Sequence, residues 1–191
     1  LCERVERHAV QLAAERPEER LPVDPASIET PYCRELVERI RAAGMKLAIY
    51  DVTWEARLPC VYARLASPEL PHAWMGAGCH TSRDVALSRA LTEAAQSRLT
   101  YIAGARDDIF AFEYHRPPSW IFDGFVEPAG GRPFSELPDC ATDEVAADLD
   151  LVLERLDAAG LEAYWVDLTR PEIGIPVGVA FVPGLGEAHR A

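Results

Sequence analysis

The pattern of apolar and polar positions predicts one long amphipathic helix over residues 82–100. At about 100° per residue, one narrow stripe of this helix is polar, and apolar side chains occupy its other sides. The stripe consists of Ser82, Arg89, Glu93, Gln96 and Thr100. A cation, a carboxylate and an amide in one column favour a ligand-binding face. The alternative is pairing of charges on an exposed helix surface.

The first residues of the chain predict a second helix of the same kind. Good helix formers continue from Leu1 without a helix breaker until Pro17. Glu3, Glu6 and Arg7 are three and four residues apart and therefore share one face. Two carboxylate-bearing helices that met in space would hold a divalent cation and leave it room for phosphates. Exposed ion pairs along the helix are again the alternative.

An internal repeat predicts the architecture. Residues 37–53 align without gaps on residues 153–169, with seven of seventeen positions identical. Each copy predicts a helix that ends at a glycine, Gly44 or Gly160, and is followed by a strand. After a short loop, each copy has an apolar residue and a proline before a second strand. The chain therefore contains a helix–strand–strand unit twice.

The two units predict an α+β (mixed α/β) fold in which helices pack on a mixed sheet. Each unit ends its first strand with an Asp-x-Thr sequence, and we expect equivalent structural roles for Asp51 and Asp167. A length of 191 residues suits one domain or part of a larger one. The many turn formers over about residues 104–141 predict a long irregular insertion.

A glycine-rich strand is predicted directly before the 82–100 helix. Residues 73–79 form this extended segment, and its Gly76 and Gly78 would let backbone amides approach a phosphate. The sequence contains no GxxxxGK[ST] motif, so the protein is not a P-loop protein.

Composition and charge exclude several classes of function. A net charge of −12 argues against broad binding to nucleic acid or to anionic membranes. The sequence has no run of 18 apolar residues, so it predicts no membrane span, and the first residues do not resemble a signal peptide. The five cysteines are widely spaced and odd in number, which favours reduced thiols in a cytoplasmic protein. Because Leu1 lies inside a helical pattern, we expect further residues upstream of it.

Residues 76–108, GAGCHTSRDVALSRALTEAAQSRLTYIAGARDD, closely resemble the YcaO family. Residues 1–7 resemble the second part of that family's Ser-x-x-x-Glu-x-x-Glu-Arg motif, and residues 175–185 resemble its closing strand and Pro-Gly-Leu turn. The resemblance implies a YcaO-like fold, with residues 1–191 as a single domain that lacks its N-terminal part.

The resemblance also implies an activity, cofactors and partners. YcaO proteins bind ATP, hold magnesium between its phosphates with carboxylates, and phosphorylate a peptide amide oxygen. A Cys, Ser or Thr side chain then closes an azoline ring, or external sulfide gives a thioamide, as in the biosynthesis of modified peptides (RiPPs). The central segment is most similar to the branch associated with TfuA proteins, which is linked to thioamide formation. The implied partners are a peptide or protein substrate and a TfuA-like or peptide-delivering protein, with a homodimer left open.

Two sets of site residues follow from the resemblance, motif by motif. The residues implied to serve magnesium and ATP are Glu3, Glu6, Glu93 and Gln96. The residues implied to contact the ATP phosphates are Arg7, Arg89 and Arg98. Arg98 ranks below Arg89 because it lies well round the helix from Glu93. No residue is assigned a catalytic role.

Two other classes of function compete with an amide-activating enzyme. One is a non-catalytic YcaO-like module that binds a peptide or a partner protein. The other is an acidic α/β domain in which both polar helix faces are surface. In that last case, Glu93→Ala would change stability by no more than about 0.5 kcal/mol and would have no effect on a ligand.

Overall fold

The computed structural model describes residues 1–104, 107–115 and 118–186. The helices are α1 (Cys2–Glu15), α2 (Pro31–Ala42), α3 (Arg83–Ala103), α4 (Pro118–Gly124) and α5 (Val145–Ala158). The strands are β1 (Leu21–Pro22), β2 (Lys46–Asp51), β3 (Cys60–Ala66), β4 (Ala73–Cys79), β5 (Tyr164–Asp167) and β6 (Gly178–Phe181). Among the described residues, no helix combines the length and the apolarity needed to cross a bilayer.

Strands β1 to β4 form one sheet in that order, and β5 pairs with β6 in a second. The α+β class with helices packed on sheets is confirmed, and the pairs in both sheets are antiparallel where a mixed sheet was expected. Helices α2 and α3 cover one face of the first sheet, and α1 and α5 pack against the other. Because β3 is covered on both faces, its sequence CVYARLA is an almost continuous apolar run.

Helix α3 packs on β4 with almost no space between the two backbones. A Cβ added to Gly76 would lie 2.3 Å from the Ala90 carbonyl oxygen, and one added to Gly78 would lie 2.0 Å from that of Ala86. On the helix side, the contact is made by small, fully buried side chains, including Ala94. The two glycines therefore serve close helix–strand packing. The helix backbone fills the space that a phosphate was expected to use.

The internal repeat is confirmed at the level of backbone geometry. Asp51 and Asp167 each accept the N–H of the threonine two residues further on, at 2.8 Å. In both units that threonine hydroxyl accepts an N–H at 3.1 Å from a residue at the start of the next strand, Cys60 as the first residue of β3 and Val177 directly before β6. The glycines that end the two helices both adopt the left-handed conformation, with φ of 71° at Gly44 and 74° at Gly160.

The two units differ in what covers them. Asp51 is buried, and its Oδ2 lies 2.7 Å from Arg132 Nη1. Asp167 is exposed. Hydrogen bonds from the side chain and the backbone N–H of Thr169 hold the pKa of its carboxyl below the ordinary value. Within the described residues, β5 and β6 pair only with each other, and Trp165 is 68% exposed. The same local structure is thus buried in one unit and open to solvent in the other.

The segment predicted as an irregular insertion contains short helical pieces. Besides α4, 3-10 turns span Ala111–His115 and Phe134–Glu136. The second turn is anchored, because Phe134 packs in the core between α2, α3 and the sheet. The Lys46 Nζ group donates to the Phe122 carbonyl at 2.6 Å and so connects α4 to β2.

Replacing Gly78 by alanine tests the close packing of α3 on β4. The new methyl group would meet the helix backbone, which cannot turn aside as a flexible side chain can. We expect Gly78→Ala to lower the free energy of unfolding by about 2–3 kcal/mol in urea denaturation. Gly124→Ala is the matched control, because a Cβ there meets nothing within 4 Å. Equal stability of the two variants would contradict the tight contact.

Asp51→Ala and Asp167→Ala test whether the buried aspartate of the first unit contributes more to stability than the exposed aspartate of the second. Loss of Asp51 removes the acceptor of the Thr53 N–H and leaves the Arg132 guanidinium only its contacts with Glu136. We expect a decrease of about 2–3 kcal/mol in unfolding free energy. Loss of the exposed Asp167 removes only turn hydrogen bonds, so its effect should be much smaller. Chemical denaturation of both variants measures the difference. A larger loss for Asp167→Ala would show that the second unit is the better protected one.

Candidate functional site

The candidate site lies along the outer edge of β4. Since β4 is the last strand of its sheet, alternate residues direct their N–H and C=O groups away from β3. Two of these N–H groups donate to carboxylates: Ala77 to Glu93 Oε2 at 2.6 Å, and Cys79 to Glu6 Oε2 at 2.9 Å. Helices α1 and α3, which lie on opposite faces of the sheet, therefore meet at the edge of one strand.

Glu6 is the more buried of the two carboxylates. Its residue is 8% exposed, and this desolvation raises the pKa of its carboxyl above the ordinary value. The Cys79 N–H and the Arg89 guanidinium act in the opposite direction. Arg89 Nη2 lies 3.5 Å from Glu6 Oε2, which is long for an ion pair. The protein therefore compensates this buried charge only in part, and a cation would complete the compensation.

Each of the two carboxylates keeps one oxygen free for a ligand. Within the described residues, Oε1 of Glu6 and Oε1 of Glu93 make no hydrogen bond or ion pair, whereas both Oε2 atoms bind the strand. The backbone bonds orient the side chains without using their full capacity as acceptors. Oriented carboxylate oxygens of this kind suit coordination of a hard cation such as Mg2+.

Six of the seven predicted site residues surround this edge. A concavity of about 310 Å³, here called the acidic concavity, is lined by Glu3, Glu6, Ala77, Arg89, Thr92, Glu93 and Gln96. An adjoining hollow of about 410 Å³ shares Glu3, Glu6 and Glu93 and adds Arg7. Arg7 also pairs with Glu3 at 2.8 Å, and both side chains are exposed. This pair therefore matches the alternative prediction for the first helix, an exposed ion pair on its surface.

Arg98 is the predicted site residue that the structure places elsewhere. Its guanidinium lies 3.8 Å from the Glu69 carboxylate and 5.9 Å from the centroid of the Trp74 ring. Position 98 is rotated away from positions 93 and 96 on the helix. Arg98 therefore does not line the acidic concavity.

Three contributions to the site have no signal in the sequence. They are the N–H groups of Ala77 and Cys79 and the hydroxyl of Ser97, which donates to the Met75 carbonyl at 3.1 Å. Which backbone groups of a strand remain unpaired depends on the strand order in the sheet. That order is set by contacts between distant parts of the chain, so no local motif marks these groups.

The carboxylates do not form a closed metal site by themselves. Among the described residues, no three His, Cys, Asp or Glu side chains come close enough to hold a metal ion. Magnesium is usually held by one or two carboxylates together with water and substrate phosphates. The open arrangement at the edge of β4 therefore fits a metal that is bound together with a phosphate-bearing ligand.

Comparison with known proteins identifies the family. The family model described as YcaO cyclodehydratase, ATP- and Mg2+-binding, matches residues 1–186. The chain belongs to the YcaO family. ATP and Mg2+ are the cofactors of this family, and the donor set at the edge of β4 fits both.

Two curated relatives of this YcaO chain are uncharacterized proteins. One, from Methanothermobacter thermautotrophicus, is 34% identical over 197 residues, which cover 97% of this chain and 51% of that protein. The other, from Rhizobium leguminosarum bv. trifolii and named for the tfuA 3′ region, is 36% identical over 203 residues, with coverages of 97% and 48%. The chain thus spans about half the length of the curated relatives that it matches.

Solved YcaO structures share the fold. The heterocyclase TruD matches with a TM-score of 0.75 and 27% identity, over 96% of this chain and 26% of TruD. The YcaO protein of Methanopyrus kandleri, bound with AMPPCP and Mg2+, matches with a TM-score of 0.74 and 23% identity, over 96% of this chain and 50% of that protein. The expected YcaO-like fold is therefore confirmed.

Glu6→Gln tests the cost of the buried carboxylate. Glutamine keeps an oxygen that accepts the Cys79 N–H, but it carries no charge that burial would penalise. We expect the variant to be at least as stable as the parent in urea at neutral pH, and to bind magnesium nucleotide more weakly. A variant that is clearly less stable than the parent would contradict this account.

The stability difference between Glu6→Gln and the parent should depend on pH. The pKa of Glu6 is higher in the folded chain than in the unfolded chain, so the folded state binds more protons between the two values. The contribution of Glu6 to unfolding free energy therefore falls as the pH rises through this interval. Glu6→Gln lacks this contribution, and its advantage over the parent should disappear in acid.

Proposed function

We propose that this YcaO chain binds ATP with Mg2+ at the edge of β4 and takes part in activating a peptide backbone amide. The product would be an azoline or a thioamide. The observation that carries the proposal is the pair of carboxylates, Glu6 and Glu93. Each is held on the strand by one oxygen, and its other oxygen has no partner in the part of the chain that the structure describes. The family description as an ATP- and Mg2+-binding cyclodehydratase supports both the cofactors and the reaction class.

In this proposal the two helices divide the binding work between them. Glu3 and Glu6 from α1 and Glu93 and Gln96 from α3 would serve the metal and the nucleotide, with one or two of the carboxylates on the magnesium ion together with water and phosphate oxygens. Gln96 supplies a neutral oxygen, so the charge on the metal is balanced mainly by the carboxylates. Arg89, beside Glu6, is the main candidate for a phosphate contact, and Arg7 is a second candidate in the adjoining hollow. A planar guanidinium suits this task because it donates two parallel hydrogen bonds to phosphate oxygens.

The chemistry explains why such a site is built from charges and fixed geometry. When bound, ATP supplies a phosphoryl group that turns an amide oxygen, a poor leaving group, into a good one. The protein contributes positioning and neutralisation of charge, which are the main sources of rate in phosphoryl transfer. Carboxylates held by backbone N–H groups meet this need because they require no reorientation when the ligand arrives.

We also propose that the substrate is a peptide and that a TfuA-like protein is a partner. Support comes from the Rhizobium leguminosarum relative, whose name places its gene beside tfuA. This association favours the thioamide product over the azoline. A non-catalytic YcaO-like binding module is the second candidate, since no closed metal site exists among the described residues.

Calorimetric titration of ATP into the chain, with and without Mg2+, tests the proposal. Glu93→Gln keeps an oxygen to accept the Ala77 N–H but removes the charge, so the strand edge stays capped. We expect magnesium-dependent binding by the parent and a loss of affinity of at least about tenfold in Glu93→Gln. Glu35→Ala is the control, because it removes an equally charged carboxylate that pairs with Arg39 on the exposed face of α2.

Each result of this titration has a definite meaning. Equal affinity of the parent, Glu93→Gln and Glu35→Ala would contradict the site assignment. Absence of magnesium-dependent binding by the parent would contradict the proposal for this chain and favour the binding module. Thermal or urea unfolding of Glu93→Gln checks that the loss of affinity does not come from loss of the fold.

A further inference from the structure

A second concavity adjoins the acidic concavity along the same strand edge. It has a volume of about 390 Å³ and is here called the aromatic concavity. Its lining residues are His72, Ala73, Trp74, Met75, Glu93, Gln96, Ser97, Thr100, Tyr101 and Ile109. Both concavities are lined by Glu93 and Gln96, so they lie next to each other along β4.

The edge of β4 is open where the aromatic concavity runs. Ala77 and Cys79 direct their N–H groups outward, and both are bonded to carboxylates. Met75, two residues before Ala77, also directs its backbone groups outward. Its carbonyl accepts only the Ser97 hydroxyl, and its N–H has no acceptor among the described residues. The strand therefore offers a free donor and a carbonyl with spare capacity beside Ala73.

We propose that the peptide to be modified binds here as an added strand along Ala73–Met75. This inference rests on the proposed function and names the place of its substrate. A carbonyl of the peptide accepts the Met75 N–H, as in other cases of strand addition to a sheet edge. At about 3.3 Å per residue, the next amides of the peptide extend toward Ala77, beside Glu93 and the free carboxylate oxygen. An amide oxygen would thus arrive where the metal and phosphates are bound.

The open edge is too short to favour a folded partner or a second copy of the chain. Glu6 and Glu93 cap the rest of the edge with charge, which is how natural sheets prevent pairing between folded proteins. The net charge of −12 further opposes self-association through an acidic groove. A short extended peptide needs only the few backbone groups around Met75, so it fits the space that the caps leave.

The aromatic concavity indicates which side chain the peptide carries next to the modified amide. Tyr101 stacks on His72 with ring centroids 5.4 Å apart, and Trp74 meets Tyr101 edge-on at 5.9 Å. Thr100 adds a small side chain on the helix side. Trp74 and Tyr101 are each 3% exposed, and Tyr101 is also stacked on Tyr114, so these rings form a closely packed wall that a peptide side chain meets from outside. A large apolar side chain covers more of this wall than a glycine does.

Titration of the 15N-labelled chain with a capped peptide, acetyl-Gly-Gly-Phe-Gly-Cys-Gly-amide, tests the inference without nucleotide. We expect the largest amide shifts at Ala73, Met75 and Thr100. Met75→Pro lacks the N–H donor but breaks no bond to β3, and it should bind at least about tenfold more weakly. Met75→Ala keeps the N–H and should stay close to the parent. The peptide with Gly in place of Phe should bind more weakly than the Phe peptide.

A second pair of variants covers the case in which Met75→Pro does not fold. Thr100→Trp fills the aromatic concavity from α3 and should abolish the preference for the Phe peptide. Leu99→Trp adds the same side chain at a position that is 64% exposed and outside the concavity, so this variant should keep the preference for the Phe peptide. Equal binding by both tryptophan variants would overturn the inference, as would equal binding by Met75→Pro and Met75→Ala. Shifts at Met75 that depend on protein concentration without peptide would overturn it in favour of a second copy.

The two proposals fail in distinguishable ways. Peptide binding is measured without nucleotide, and the Glu93→Gln titration is measured without peptide. Magnesium-dependent ATP binding with no shifts at Met75 would overturn the peptide subsite and leave the proposed function standing. Shifts at Met75 without ATP binding would support a peptide-binding edge in a chain that is not an enzyme.

Discussion

The structure depends on the contact between α3 and β4, where Gly76 and Gly78 let a helix backbone touch a strand backbone. Any side chain at these positions would force the helix and the strand apart, because the neighbouring atoms belong to the main chain. This contact sets how far the polar stripe of α3 stands from the strand edge. Glu93 reaches the Ala77 N–H because the two backbones are so close. The chemistry of the site is thus a consequence of packing.

The carboxylates solve two problems with the same hydrogen bonds. An edge strand presents unpaired N–H groups that invite pairing with other chains, and a charged acceptor on each one prevents this. The same bonds hold Glu6 and Glu93 in fixed orientations, each with one oxygen to spare. Burial of Glu6 adds a charge that the protein does not fully compensate. A cation bound beside Glu6, as the proposed function requires, would therefore also stabilise the fold.

Much of this arrangement could be predicted from residues close together in the sequence. The periodicity of the 82–100 segment predicted which side chains of α3 share a face, and the repeat predicted matching glycines and matching strand ends at Asp-x-Thr. What could not be predicted depends on distant contacts. Whether Gly76 faces a phosphate or a helix is decided by where α3 lies. The capping role of the Ala77 and Cys79 N–H groups requires knowing that β4 stands at the edge of the sheet.

The two copies of the repeated unit show which structural features depend on nearby residues and which depend on tertiary contacts. Both copies form the same turn and the same left-handed glycine, because these features depend only on nearby residues. Only the first copy is enclosed, with Asp51 buried against Arg132 and β3 covered on both faces. A two-stranded ribbon is marginally stable by itself, and β5 and β6 expose apolar side chains such as Trp165. The first unit therefore forms an enclosed core within these residues, whereas the strands of the second unit leave apolar side chains exposed.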